Sequence, residues 1–125
     1  MKNKVDTIAE LIAKTVFSPL VYMVEHDDRI DFVYITNEEI SDDKLYDVQN
    51  SASVLLKCDV DILDIRYFSE VDKLTLLRSS KPIYCENPIL PKLIETKAVE
   101  SIKIMVKQKN DIIDRKSEFG CYFLQ

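Results

Sequence analysis

The 125-residue chain contains one glycine, Gly120, within its last ten residues. Glycine supplies the sharp turns that let a backbone lie against a phosphate group. The P-loop, the dinucleotide-binding fingerprint and the kinase-type loop each need several glycines at fixed spacings. The sequence therefore excludes nucleotide binding through a glycine-rich loop, and the fold must form its turns from other residues.

The composition predicts an ordered domain without a nucleic-acid partner. Hydrophobic residues make up 46% of the chain and charged residues 31%, a balance typical of folded soluble domains. The net charge of -5 argues against nucleic acid, which requires many cations facing its phosphates. A basic group in the last third is interpreted as the solvated face of a helix. Its members are Lys97, Lys103, Lys107, Lys109, Arg115 and Lys116.

The three cysteines and the single histidine give little support for a metal site. Cys58, Cys85 and Cys121 are widely spaced, and His26 is far from all of them in the sequence, so no zinc site is expected. Charges interrupt the apolar residues near the N-terminus, unlike a signal peptide. No apolar run approaches the roughly 20 residues of a membrane span. We therefore expect a cytoplasmic protein with free thiols and no membrane partner.

The first half of the chain predicts a helix, a β-hairpin and a second helix. Residues 5–16 carry apolar side chains at helical spacing. Segments 20–24 and 30–35 are rich in Val, Ile, Tyr and Phe, and the acidic residues between them indicate a hairpin turn. Ser41 is the predicted N-cap of a helix with an apolar stripe over residues 45–56.

The second half predicts two strands and two helices. Residues 60–65 form a strand, and Ser69 with Asp72 makes a capping-box pattern at the start of a short helix. A short strand covers residues 83–85, and a long helix follows Pro91. The predicted core-facing side chains of this helix are Leu90, Ile94, Ala98, Ile102, Met105 and Val106.

This order of elements predicts one α/β (α+β) domain over residues 1–125. Helices cover a small mixed β-sheet of about four strands, because each amphipathic element must bury its apolar face against another layer. A long C-terminal helix and an apolar tail at residues 116–125 follow the sheet.

Two segments resemble the minimal nucleotidyltransferases, especially the MntA-like antitoxins. The segment VDILDIRYFSEVDKLTLLRSSKPIYCENP is similar to the family's Val-Asp-Leu-like strand, short helix and Leu-Tyr-Glu-like strand. The segment LVYMVEHDDRIDFVYI is similar to its first two strands. These motifs are short, and the resemblance covers most of residues 1–115. It implies a nucleotidyltransferase-like fold and an all-helical HEPN-type toxin as the partner.

The resemblance also implies a catalytic site, from which this sequence departs in two places. Family members hold the phosphates of a nucleotide with a Gly-Ser loop between the first two strands, and three carboxylates hold the magnesium ions. Here the connection is acidic and contains no glycine. Arg29 and Asp31 match the Asp-x-Asp pair, and Asp61 matches the third carboxylate. A guanidinium thus replaces one of three metal ligands.

We therefore expect a vestigial site in which Arg29, at a ligand position, pairs with Asp31 or Asp61. His26 is interpreted as a plain turn residue. An alignment that uses Asp28 with Asp31 puts their side chains on opposite faces of a regular strand, unless a bulge intervenes. No catalytic residue, metal ligand or cofactor is expected. Magnesium and ATP are expected as cofactors only if the protein is an active enzyme with an atypical site.

Three functions stay open at this stage. The favoured one is a non-catalytic, degenerate MntA-like antitoxin that binds a HEPN-type toxin. One alternative is an active magnesium-dependent nucleotidyltransferase with an atypical site formed by Asp31, Asp61 and Asp59. The other is a self-associating structural domain. The fold alone cannot decide among them, because one fold supports many functions.

The apolar tail predicts either an interface or a segment that folds back on its own domain. Exposed apolar clusters usually mark a contact surface, and aromatic anchors carry much of the binding energy there. A homodimer or a protein partner would complete this contact, with Leu93, Ile104 and Ile112 contributing if they lie off the core-facing stripe. The tail residues assigned to the interface are Phe119, Tyr122, Phe123 and Leu124.

Overall fold

The computed structural model of the protein describes residues 3–118 and begins with helix α1 (Lys4–Val16). Asn3 caps this helix, because its Oδ1 accepts a 2.8 Å hydrogen bond from the backbone N–H of Asp6. One face of α1 is buried through Ile8 and Ile12. The helical spacing of its apolar residues thus becomes one side of the core.

Within the described residues, four strands form one mixed sheet. They are β1 (Leu20–Glu25), β2 (Arg29–Tyr34), β3 (Asp59–Asp64) and β4 (Pro82–Cys85). Their order is β3-β2-β1-β4. β1 is antiparallel to β2 and β4, whereas β2 and β3 are parallel. A parallel pair needs a crossover connection, and helix α2 (Asp42–Leu56) provides it.

Serine side chains start the two middle helices, as the sequence predicts. Ser41 Oγ accepts a 3.3 Å hydrogen bond from the backbone N–H of Lys44 at the start of α2. Ser69 Oγ accepts one of 3.1 Å from the backbone N–H of Asp72 at the start of α3 (Glu70–Ser79). A 3-10 turn at Ile65–Tyr67 joins β3 to α3. Both N-caps satisfy backbone donors that would otherwise lack partners.

The last helix, α4 (Leu90–Glu118), has 29 residues and is therefore about 43 Å long at 1.5 Å per residue. It begins one residue before Pro91, which the first turn of a helix tolerates because that N–H has no intrahelical acceptor. In the described part of the chain, no helix has both the length and the apolar character needed to cross a membrane.

The helices cover both faces of the sheet and bury two apolar clusters. Alternate residues of a strand point to opposite faces, so Phe32 faces α1 and α2 while Val33 faces α3 and α4. The cluster under α1 and α2 contains Ile8, Ile12, Val16, Val21, Phe32, Tyr34, Val48, Ala52 and Val60. The cluster under α3 and α4 contains Leu20, Tyr22, Val33, Ile65 and Leu76, with Leu77, Leu90 and Ile94 packed against it.

The predicted apolar stripes are longer than the surfaces that the fold covers. Leu11 of α1 and Leu55 of α2 are exposed at the edges of their stripes. In α4, every residue from 103 to 110 is exposed, so the prediction that Met105 and Val106 face the core is wrong. The physical reason is length, because α3 packs against α4 but has only 10 residues.

Replacing Lys57 by glycine should stabilise the protein by about 0.5–1 kcal/mol. Phe17 and Lys57 follow directly after α1 and α2, and their φ angles of 55° and 58° are left-handed. A Cβ costs roughly 1–2 kcal/mol there, which exceeds the entropic cost of a glycine. Urea unfolding measures the difference. Lys57→Ala is the control, since it keeps the Cβ, and an equal gain in both variants would contradict this account.

Candidate functional site

The residues that match the family's catalytic carboxylates lie together at the end of the sheet where β1 ends and β2 and β3 begin. Arg29 and Asp31 are two residues apart on β2, so their side chains share a face. β3 runs parallel, and Asp61 is the register partner of Asp31. This is the face that carries Val33, on the α3 and α4 side. Strand pairing therefore brings three charged side chains together.

Asp31 is the centre of this cluster. Its side chain is only 10% exposed, and both carboxylate oxygens have partners. Arg29 Nε donates to Asp31 Oδ1 over 3.2 Å, and His26 Nε2 lies 2.8 Å from Oδ2. Arg29 Nε also lies 3.7 Å from Oδ2 of Asp61, whose side chain is 50% exposed. The predicted pairing of Arg29 is confirmed, and its guanidinium bridges both carboxylates.

His26 belongs to the cluster, so its interpretation as a plain turn residue is wrong. Its backbone N–H donates a 2.8 Å hydrogen bond to the carbonyl oxygen of Arg29 and closes the β1–β2 hairpin. The register pairs Glu25 with Ile30, so the ring of the next residue reaches the start of β2. The short connection between two well-defined strands was the sequence signal that could have revealed this contact with Asp31.

Two further aspartates lie next to the cluster, in the strand register or in the sequence. Asp59 is the register partner of Arg29 and is exposed, whereas Asp28 lies in the turn before β2. The register of β1 and β2 is continuous, so the bulge that would bring Asp28 beside Asp31 is not formed. Among the side chains that the structure describes, those of residues 3–110, no group of three or more His, Cys, Asp or Glu is arranged to hold a metal ion.

A second charged cluster, which the sequence analysis missed, lies at the other end of β3. Arg66 donates to Oδ2 of the buried Asp64 from Nε at 2.9 Å and from Nη2 at 2.7 Å. Nη2 also donates to the backbone carbonyl of Glu38. The hydrogen bond to Asp64 raises the pKa of the Arg66 guanidinium. Burial, followed by the charge of Asp64, raises the pKa of the Tyr34 hydroxyl. This cluster ties the loop after β2 to β3.

A cleft of about 880 Å³ lies at the end of the sheet opposite the Arg29 cluster. Apolar side chains from α1 and α4 line it together with Lys14, Lys97, Glu38 and Glu86. Arg29, Asp31 and Asp61 are not among its lining residues.

The interface predicted from the tail falls outside the described residues, with Phe119, Tyr122, Phe123 and Leu124. Leu93 and Ile104, which were expected to complete it, are both exposed.

The strand order, the parallel β2–β3 pair and the helices on both faces form the minimal nucleotidyltransferase fold. A chain with this fold occurs in the complex of a tri-AMPylated Shewanella oneidensis HEPN toxin with an MNT antitoxin. It is 18% identical to this protein, with a TM-score of 0.69 covering 90% of this chain and 94% of that one.

Two further toxin–antitoxin structures contain a similar chain. In the MntA–HepT complex it is 18% identical, with a TM-score of 0.69 over 90% of this chain and 95% of the other. In a complex with AMP-PNP it is 17% identical, with a TM-score of 0.68 over 91% and 98%. The chain matches no protein-family model and no curated protein. The predicted fold is confirmed, and function must be argued from the site.

Asp31→Asn should destabilise the protein more than Asp61→Asn. Asp31 is nearly buried and receives two charge-assisted contacts, so we expect a loss of roughly 2 kcal/mol. Asp61 is half exposed and has one 3.7 Å ion pair, so its loss should stay under about 0.5 kcal/mol. Urea unfolding at neutral pH measures both variants. Equal losses would show that Asp31 is not the centre of the cluster.

Proposed function

We propose that this protein is a non-catalytic, degenerate MntA-like antitoxin that acts in the cytoplasm by binding a HEPN-type toxin. It uses neither magnesium nor ATP. One observation carries the proposal: the Arg29 guanidinium lies 3.2 Å from Asp31 and 3.7 Å from Asp61. A fixed cation therefore occupies the space between the two carboxylates that, by resemblance, would bind a metal ion.

A guanidinium at this position opposes magnesium binding by electrostatic repulsion. Arginine stays charged at all accessible pH values, so its cation cannot be removed by titration. A divalent ion bound to the same oxygens would sit within a few ångströms of it, where like charges repel strongly. Magnesium also needs near-octahedral oxygen ligands at about 2.0–2.1 Å. Arg29 supplies none of these ligands.

The connection between β1 and β2 opposes nucleotide binding as well. Glu25, Asp27 and Asp28 are exposed around the hairpin turn. A triphosphate placed here would meet three carboxylates, whereas phosphate sites use backbone N–H groups and cations. The metal-binding and the phosphate-binding parts of the family's chemistry thus both lack support in this chain.

The toxin partner is proposed because one structure with this fold is a complex of a HEPN toxin with an antitoxin, and another is the MntA–HepT toxin–antitoxin complex. A protein without transfer chemistry can still neutralise a toxin by covering its functional surface. Such binding requires complementary shape and charge rather than a catalytic site.

Arg29→Asp should lower the free energy of unfolding by roughly 2 kcal/mol, because three carboxylates would then crowd together without a cation. Magnesium should restore part of this loss by binding the restored carboxylate set. Urea unfolding with and without millimolar magnesium chloride measures both effects.

The wild-type protein is the first control and should not respond to magnesium. Arg66→Asp is the second, since it makes the same charge change beside the buried Asp64 at the other end of β3 and should lose stability without a magnesium response. Specific stabilisation of the wild-type protein by magnesium would contradict the proposal.

Asp31→Asn should leave toxin neutralisation intact. The test is growth of cells that co-express a helical HEPN-type toxin protein with wild-type or variant protein. If neutralisation depends on binding alone, the variant protects to within about twofold, provided that circular dichroism shows it to be folded. Incubation of the purified pair with radiolabelled ATP and magnesium should give no label transfer.

Two results would count against this function. Transfer of label that disappears in Asp31→Asn, together with loss of protection, would identify an active nucleotidyltransferase. Failure of the wild-type protein to bind or neutralise the helical protein would remove the antitoxin assignment.

A further inference from the structure

We draw no further inference here: the strongest candidate, the cleft of about 880 Å³ at the end of the sheet between the end of α1 and the first turns of α4, is lined by two lysines and two glutamates among apolar side chains, so neither its charge nor any other feature of the structure shows what occupies it.

Discussion

The parallel pairing of β2 with β3 is the contact on which the layers and the site both depend. A parallel pair cannot be joined by a tight turn, so α2 must cross one face of the sheet, where it packs beside α1 over Phe32 and Val60. The other face is left for α3 and α4. The same pairing sets Asp31 beside Asp61, and without it the two carboxylates would have no reason to share a cation.

Arg29 supplies the pair Asp31 and Asp61 with a cation from within the chain. In a metal site, two adjacent carboxylates have no cation of their own, and they bind a metal ion that then takes part in the chemistry. Here a cation is covalently part of β2 and lies within 4 Å of both carboxylates, so one positive charge is present before any ligand arrives. The buried Asp31 gains a further partner in His26. These contacts stabilise the hairpin end of the sheet.

Part of the apolar stripe of helix α4 is not buried by the rest of the domain. Its length of 29 residues exceeds that of its neighbour α3 by 19, so the body covers the apolar stripe only as far as Ile102. An apolar stripe that leaves the body uncovered has the same physical character as a core face.

The amino-acid sequence by itself determined the features that depend on neighbours along the chain. The N-caps at Ser41 and Ser69, the β1–β2 hairpin and the four helices follow from local hydrogen bonding and from the periodicity of apolar residues. The placement of Arg29 beside two aspartates was predictable only through resemblance to a family. The sequence analysis missed the contact between His26 and Asp31, and the Asp64–Arg66 pair, because each depends on how a turn or a strand end is oriented in space.

Only the tertiary structure decided where burial stops. Leu11, Leu55, Met105 and Val106 have the spacing of core residues, yet all four are exposed. Periodicity shows which face of a helix is apolar, but it contains no information about the length of the surface packed against that face. That length is set by the size of the sheet and of α3, since a side chain is buried only where another element is present to cover it.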